Sequence, residues 1–123
     1  MRESHTVHAV QEDADKLRDG ILEWVYQVAL LDEDSKLTYA EARQKWGLRT
    51  IPTGMGRVLT LVTDQLAERY GPAIARGVAA YVVRAETKAP GDGWRTCVTG
   101  VPPVSAEAAR SQARAALREL RSS

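Results

Sequence analysis

Thr38 and Glu41 stand three residues apart at the head of a short amphipathic stretch, and Gly47 closes it. At that spacing the threonine hydroxyl accepts from the backbone N–H of residue 41. The glutamate in turn reaches back to the threonine's own N–H, so two donors that a helix start leaves orphaned are satisfied together. Leu37 and Ala42 occupy the positions of a hydrophobic staple, and Tyr39, Ala42 and Trp46 fall on one side. Gly47 takes the left-handed conformation on which helices end at no steric cost. The spacing therefore predicts a helix of about two turns, and everything else must be arranged around it.

Upstream, Leu17, Ile21, Trp24, Val25, Val28 and Leu31 recur at helical spacing from Asp13 onward. Gly20 weakens this helix without ending it, and Asp32-Glu33-Asp34-Ser35 ends it in a solvated turn. Residues 1–12 read as a flexible lead-in. Downstream, the linker Leu48-Arg49-Thr50-Ile51-Pro52 leads into a longer helix that Thr53 can cap. Met55, Val58, Leu59, Val62, Leu66 and Tyr70 share its inner face, and Gly71-Pro72 stops it.

The β-branched and aromatic run Val78 to Ala85 predicts a strand that is apolar on both faces and so needs cover on each. Glu86 to Gly93, with Pro90-Gly91-Asp92-Gly93, predicts a turn, and Trp94 to Thr99 a return strand. Pro102-Pro103 separates a last helix, about Ser105 to Leu120. One side of it is a seam of Ala106, Ala109, Ala113 and Ala116 with Leu117 and Leu120, and another carries Arg110, Arg114, Arg118 and Arg121. The seam permits close packing against the sheet or a second subunit, and a homodimer through this helix is one expectation.

With 123 residues the chain suits one modest core. Its net charge of +1 is unevenly spread: residues 1–35 carry −6, residues 36–100 carry +5 and residues 101–123 carry +2. One acidic and one basic face would give this pattern. Cys97 is the single cysteine, which excludes an intramolecular disulfide and cysteine-rich metal sites. His5 and His8 have no third ligand nearby, and no phosphate-binding loop or nucleophile–base set is present. No metal, cofactor or catalytic residue is therefore expected. The polar N-terminus lacks an apolar signal core and no apolar run is long enough to cross a bilayer, so a cytoplasmic protein without membrane attachment is expected.

Helix, short helix, longer helix, strand, turn, strand is the order of a winged helix-turn-helix. The stretch Lys36-Leu37-Thr38-Tyr39-Ala40-Glu41-Ala42 resembles the start of the first helix in many bacterial helix-turn-helix units. Gly54-Met55-Gly56-Arg57-Val58-Leu59 resembles the start of their recognition helix. Over residues 36–99 the chain is similar to the DNA-binding domain of alkylguanine alkyltransferases and alkyltransferase-like proteins. It lacks their Pro-Cys-His-Arg or Pro-Trp-His-Arg motif, because Cys97 is followed by Val98. The resemblance implies the fold and a DNA-binding tendency, without alkyl transfer. The expected class is thus α+β: a winged helix-turn-helix of three helices and a β-hairpin wing over residues 13–100, with an additional C-terminal Ala/Arg-rich helix in 101–123.

With its inner face fixed, a turn of about 100° per residue places Thr53, Arg57, Thr60 and Asp64 on the outer face of the longer helix. Such a helix enters the major groove by its N-terminal half. Arg57 then pairs with a guanine edge or a phosphate, Thr53 and Thr60 reach bases or backbone, and the N–H groups opened by Gly54 and Gly56 suit a phosphate oxygen. Arg43, Lys45 and Arg49 supply supporting charge, as do Lys88 and Arg95 beside the turn. Asp64 and Glu68 would repel DNA. The expected function is a non-catalytic double-stranded-DNA-binding protein, a small bacterial or phage transcriptional regulator. The alternative is a protein-interaction module, an inhibitor, adaptor or assembly factor, on the same fold.

Overall fold

The computed structural model describes residues 2–32, 34–49, 55–91, 94, 102 and 104–122. Helix α1 (Arg2–Trp24) continues as one π-helical turn, Val25–Ala29, in which the Leu30 N–H reaches back to the Val25 carbonyl at 2.9 Å. Strand β1 (Leu37–Thr38) runs directly into α2 (Tyr39–Trp46). Helices α3 (Met55–Tyr70) and α4 (Pro72–Ala79), strand β2 (Val82–Val83) and helix α5 (Ala106–Ser122) follow. The molecule is mostly helical, with β1 and β2 as one small parallel pair registering Leu37 on Val82 and Thr38 on Val83. No helix among the described residues is long and apolar enough to cross a membrane.

Helix α1 begins at Arg2, so residues read as a lead-in belong to it. No glycine or proline interrupts the chain before Gly20, and Val10 is buried on the same side as Ala14, Leu17 and Ile21. At the other end the helical face stops short of expectation, since Leu31 is 85% exposed. Gly20 has a packing role as well: a Cβ there would run into the Trp46 indole of α2. Its absence lets α1 and α2 approach closely.

The capping box forms as its spacing predicts. The Glu41 N–H donates to the Thr38 hydroxyl at 3.1 Å and the Thr38 N–H to the Glu41 carboxylate at 3.0 Å. Gly47 ends α2 with φ 63°. In α3, Val58, Val62 and Leu66 are buried, while Arg57, Thr60, Asp64 and Glu68 are exposed.

The strand expected over Val78 to Ala85 is corrected by the structure. Residues 72–79 form α4, and only Val82 and Val83 are in a strand. Gly71, at φ 94°, breaks away from α3, and Pro72 then starts a new helix where its missing N–H costs nothing. An apolar run this short suits a buried helix as well as a strand, so periodicity could not separate them. Both faces of the run do require cover: α4 lies between α3 and α5, and Ile74, Ala75, Val78 and Ala79 are buried. The expected hairpin partner over 94–99 lies outside the described residues except for Trp94, and β2 pairs with β1 instead.

The alanine seam of α5 is used within the chain. Ala109, Ala113 and Leu117 are fully buried, and a Cβ on Gly77 of α4 would meet the Ala109 carbonyl and the Ala113 methyl. That contact removes the reason for expecting a dimer through this seam.

Candidate functional site

Helix α3 brings its exposed first turns beside a recess completed by four other parts of the fold. Gly56, Leu59, Thr60 and Thr63 form one wall. Tyr39 at the start of α2, Ala79 at the end of α4, Val82 of β2 and the Pro90-Gly91 turn with Trp94 form the rest of a cavity of about 60 Å³. That volume holds a few waters or the tip of a side chain. Tyr39 lies close over Gly91, where any Cβ would collide with its hydroxyl. Trp94 is anchored by its indole N–H, which donates to the Arg76 carbonyl at 2.9 Å.

The hydroxyls on this wall are engaged locally. Thr60 donates to the Gly56 carbonyl at 2.9 Å and the buried Thr63 to the Leu59 carbonyl at 2.7 Å. Each keeps lone pairs for an incoming donor. Arg57 and Thr60 point to solvent, with Asp64 one turn further along.

The turn that borders the recess is tightly closed. Arg84 N–H donates to the Ala89 carbonyl and Lys88 N–H to the Arg84 carbonyl, both at 2.9 Å. Lys88 sits at φ 56°, a left-handed conformation uncommon outside glycine. The Thr38 N–H bond, then the Thr38 side chain, hold the Glu41 carboxyl below its usual range, and the exposed Lys88 ammonium adds a smaller share. The turn therefore places a cation beside the start of α2.

The expected DNA-contacting residues fall into three groups. Arg57 and Thr60 share the exposed start of α3, and Gly56 lies with them. Lys88 lies on the turn whose Pro90 and Gly91 line the recess, and its charge acts on Glu41. Arg43, Lys45 and Arg49 lie along the second half of α2 and just past it, away from Tyr39. Of these, Arg43 is half-buried, and Lys45 and Arg49 are exposed. Thr53, Gly54 and Arg95 lie outside the described residues.

Sequence reasoning missed Asp13. It is fully buried on α1 and accepts the Arg49 N–H at 3.0 Å, tying the chain after α2 to the first helix. An aspartate at the edge of an apolar face gives no sequence signal that distinguishes it from a solvated one. Among the described residues no group of three histidine, cysteine, aspartate or glutamate side chains could hold a metal ion. Searches against family models, curated proteins and solved structures give no match to this chain.

Proposed function

We propose that this domain binds duplex DNA without catalysing a reaction, as a small regulator of the winged helix-turn-helix kind. The observation that carries this reading is the exposed start of α3. Gly56, Arg57 and Thr60 face solvent there, and no carboxylate occurs before Asp64. Beneath them Val58, Val62 and Leu66 lock the helix into the core, so a rigid element presents the contacting side chains. Arg57 supplies the bidentate donor that reads a guanine edge or clamps a phosphate. Lys88, held on a closed turn across the recess, supplies a second phosphate contact.

Fluorescence anisotropy with labelled duplex tests the proposal. Affinity should fall steeply as salt rises, because phosphate contacts release counterions. Arg57→Ala should cost about 1–3 kcal/mol if the arginine reads a base, and Asp64→Asn should tighten binding. Unchanged affinity in Arg57→Ala would remove α3 from the interface.

A second reading, a protein-interaction module, is favoured by Asp64 and Glu68 on the same exposed face and by a net charge of only +1. It is supported if micromolar protein gives no shift of duplex DNA at low salt while a defined protein partner co-purifies.

A further inference from the structure

The recess beside the start of α3 has apolar walls and one free donor. Leu59 of α3, Ala79 of α4, Val82 of β2, Pro90 of the turn and Trp94 supply the walls, and among the described residues no charged side chain lines it. Three of its side-chain donors are already spent. Thr60 donates to the Gly56 carbonyl, Thr63 to the Leu59 carbonyl and the Trp94 indole to the Arg76 carbonyl. The Tyr39 hydroxyl is the lining side-chain donor that no acceptor among the described residues engages. Gly56 and Thr60 both line the recess and are exposed, so it opens to solvent at the first turns of α3, next to Arg57.

Size and polarity restrict what enters. The cavity measures about 60 Å³, whereas one that holds a benzene ring measures about 150 Å³. A methyl with a neighbouring oxygen fits, and a whole ring does not. A phosphate oxygen is excluded as well, because walls without a cation leave its lost hydration uncompensated. Of the groups that duplex DNA displays in its major groove, the edge of thymine alone joins an apolar methyl to a hydrogen-bond acceptor, O4. Cytosine turns an amino donor toward the groove, and the purines carry no apolar group there.

We propose, resting on the DNA-binding reading above, that the recess receives the 5-methyl group of a thymine while the Tyr39 hydroxyl donates to its O4. The methyl leaves water for the walls formed by Leu59, Val82 and Trp94. Arg57, exposed beside the mouth, holds the adjoining guanine edge or phosphate. Thymine is then specified by shape and one neutral hydrogen bond, and the charged contacts only set the register.

A random-sequence duplex library is enriched on the full chain, and the recovered duplex is remade with dU at one thymine position at a time. Each substitution removes a methyl and leaves O4. By anisotropy at low salt, dU at one position should bind about fourfold more weakly than dT, the worth of one buried methyl. Tyr39→Phe should weaken the dT and dU duplexes alike, about fivefold, through loss of one hydrogen bond. Thr60→Leu, which fills the exposed mouth and spares the core, should abolish the difference between dT and dU. The thymine assignment is overturned, with DNA binding intact, if no dU substitution weakens binding, if Tyr39→Phe binds as the wild type does, or if Thr60→Leu still separates dT from dU. Absence of salt-sensitive binding to any duplex overturns the DNA-binding reading and the thymine assignment with it.

Discussion

Two glycines decide how closely the helices of this protein can approach, and they differ in what stands opposite. At Gly20 an added methyl meets the Trp46 indole, a half-buried ring that can rotate away. At Gly77 it meets the Ala109 carbonyl and the Ala113 methyl of α5, parts of a packed helix that cannot give locally. Overpacking costs ~1–3 kcal/mol. Gly20→Ala should fall at the low end of that range and Gly77→Ala at or above the high end, as read by urea denaturation. Equal losses at the two sites would show that α5 yields as readily as a single side chain. Neither role was visible in the chain: Gly20 read only as a weak point in a helical pattern, and Gly77 lay in a stretch not read as a helix.

The short helix α2 draws its stability from its first turn. Thr38→Ala removes the hydroxyl that accepts the Glu41 N–H and should cost about 1 kcal/mol. The same box makes α2 sensitive to acid. The Thr38 N–H bond is the main cause that lowers the Glu41 pKa, with the Thr38 side chain next. A carboxyl whose folded pKa lies below its unfolded one contributes stability above the unfolded pKa, and that share is lost as pH falls through the folded pKa. Stability of the wild type should therefore decline below about pH 4.3, the ordinary glutamate value, by more than that of Glu41→Gln. The carboxylate is exposed, so solvent screening keeps the difference small. Identical acid limbs for the two proteins in denaturation curves would mean the box does not favour the charged form. Here residue identity and spacing were sufficient, because a cap is made by neighbours in the chain.

Across the whole molecule, α5 is a structural member of the core. It covers α4 with Ala109, Ala113 and Leu117, and its arginines fasten it to other elements. Arg110 caps the carbonyl at the end of α4, and Arg118 donates to the Leu30 carbonyl at 2.8 Å, just past the π-helical turn that continues α1. Cations at these helix C-termini meet the unpaired carbonyls and the negative end of the helix dipole. Arg121 lies over the Tyr26 ring, 5.9 Å from its centre. Deletion of residues 104–123 should consequently abolish cooperative unfolding and the dispersion of amide NMR signals. A truncated chain that keeps both would reduce α5 to an outer cover.

Local chemistry settled the features that neighbouring residues build together. The capping box at Thr38, the left-handed stop at Gly47, the break at Gly71-Pro72, and the buried and exposed faces of α3 all follow from spacing and backbone preference. The short apolar run after Gly71 could not be settled that way, since its fate depends on what covers it. With α3 on one side and α5 on the other, it becomes α4, and only two residues remain for pairing with β1. The two sides of α5 were legible as an alanine seam and an arginine stripe, but their partners were not. Close approach at Gly77 turned the seam inward, and the meeting of Arg110 and Arg114 at Tyr81 turned solvated charges into buried donors. Those outcomes rest on contacts between residues about thirty positions apart in the chain, which periodicity within one segment does not encode.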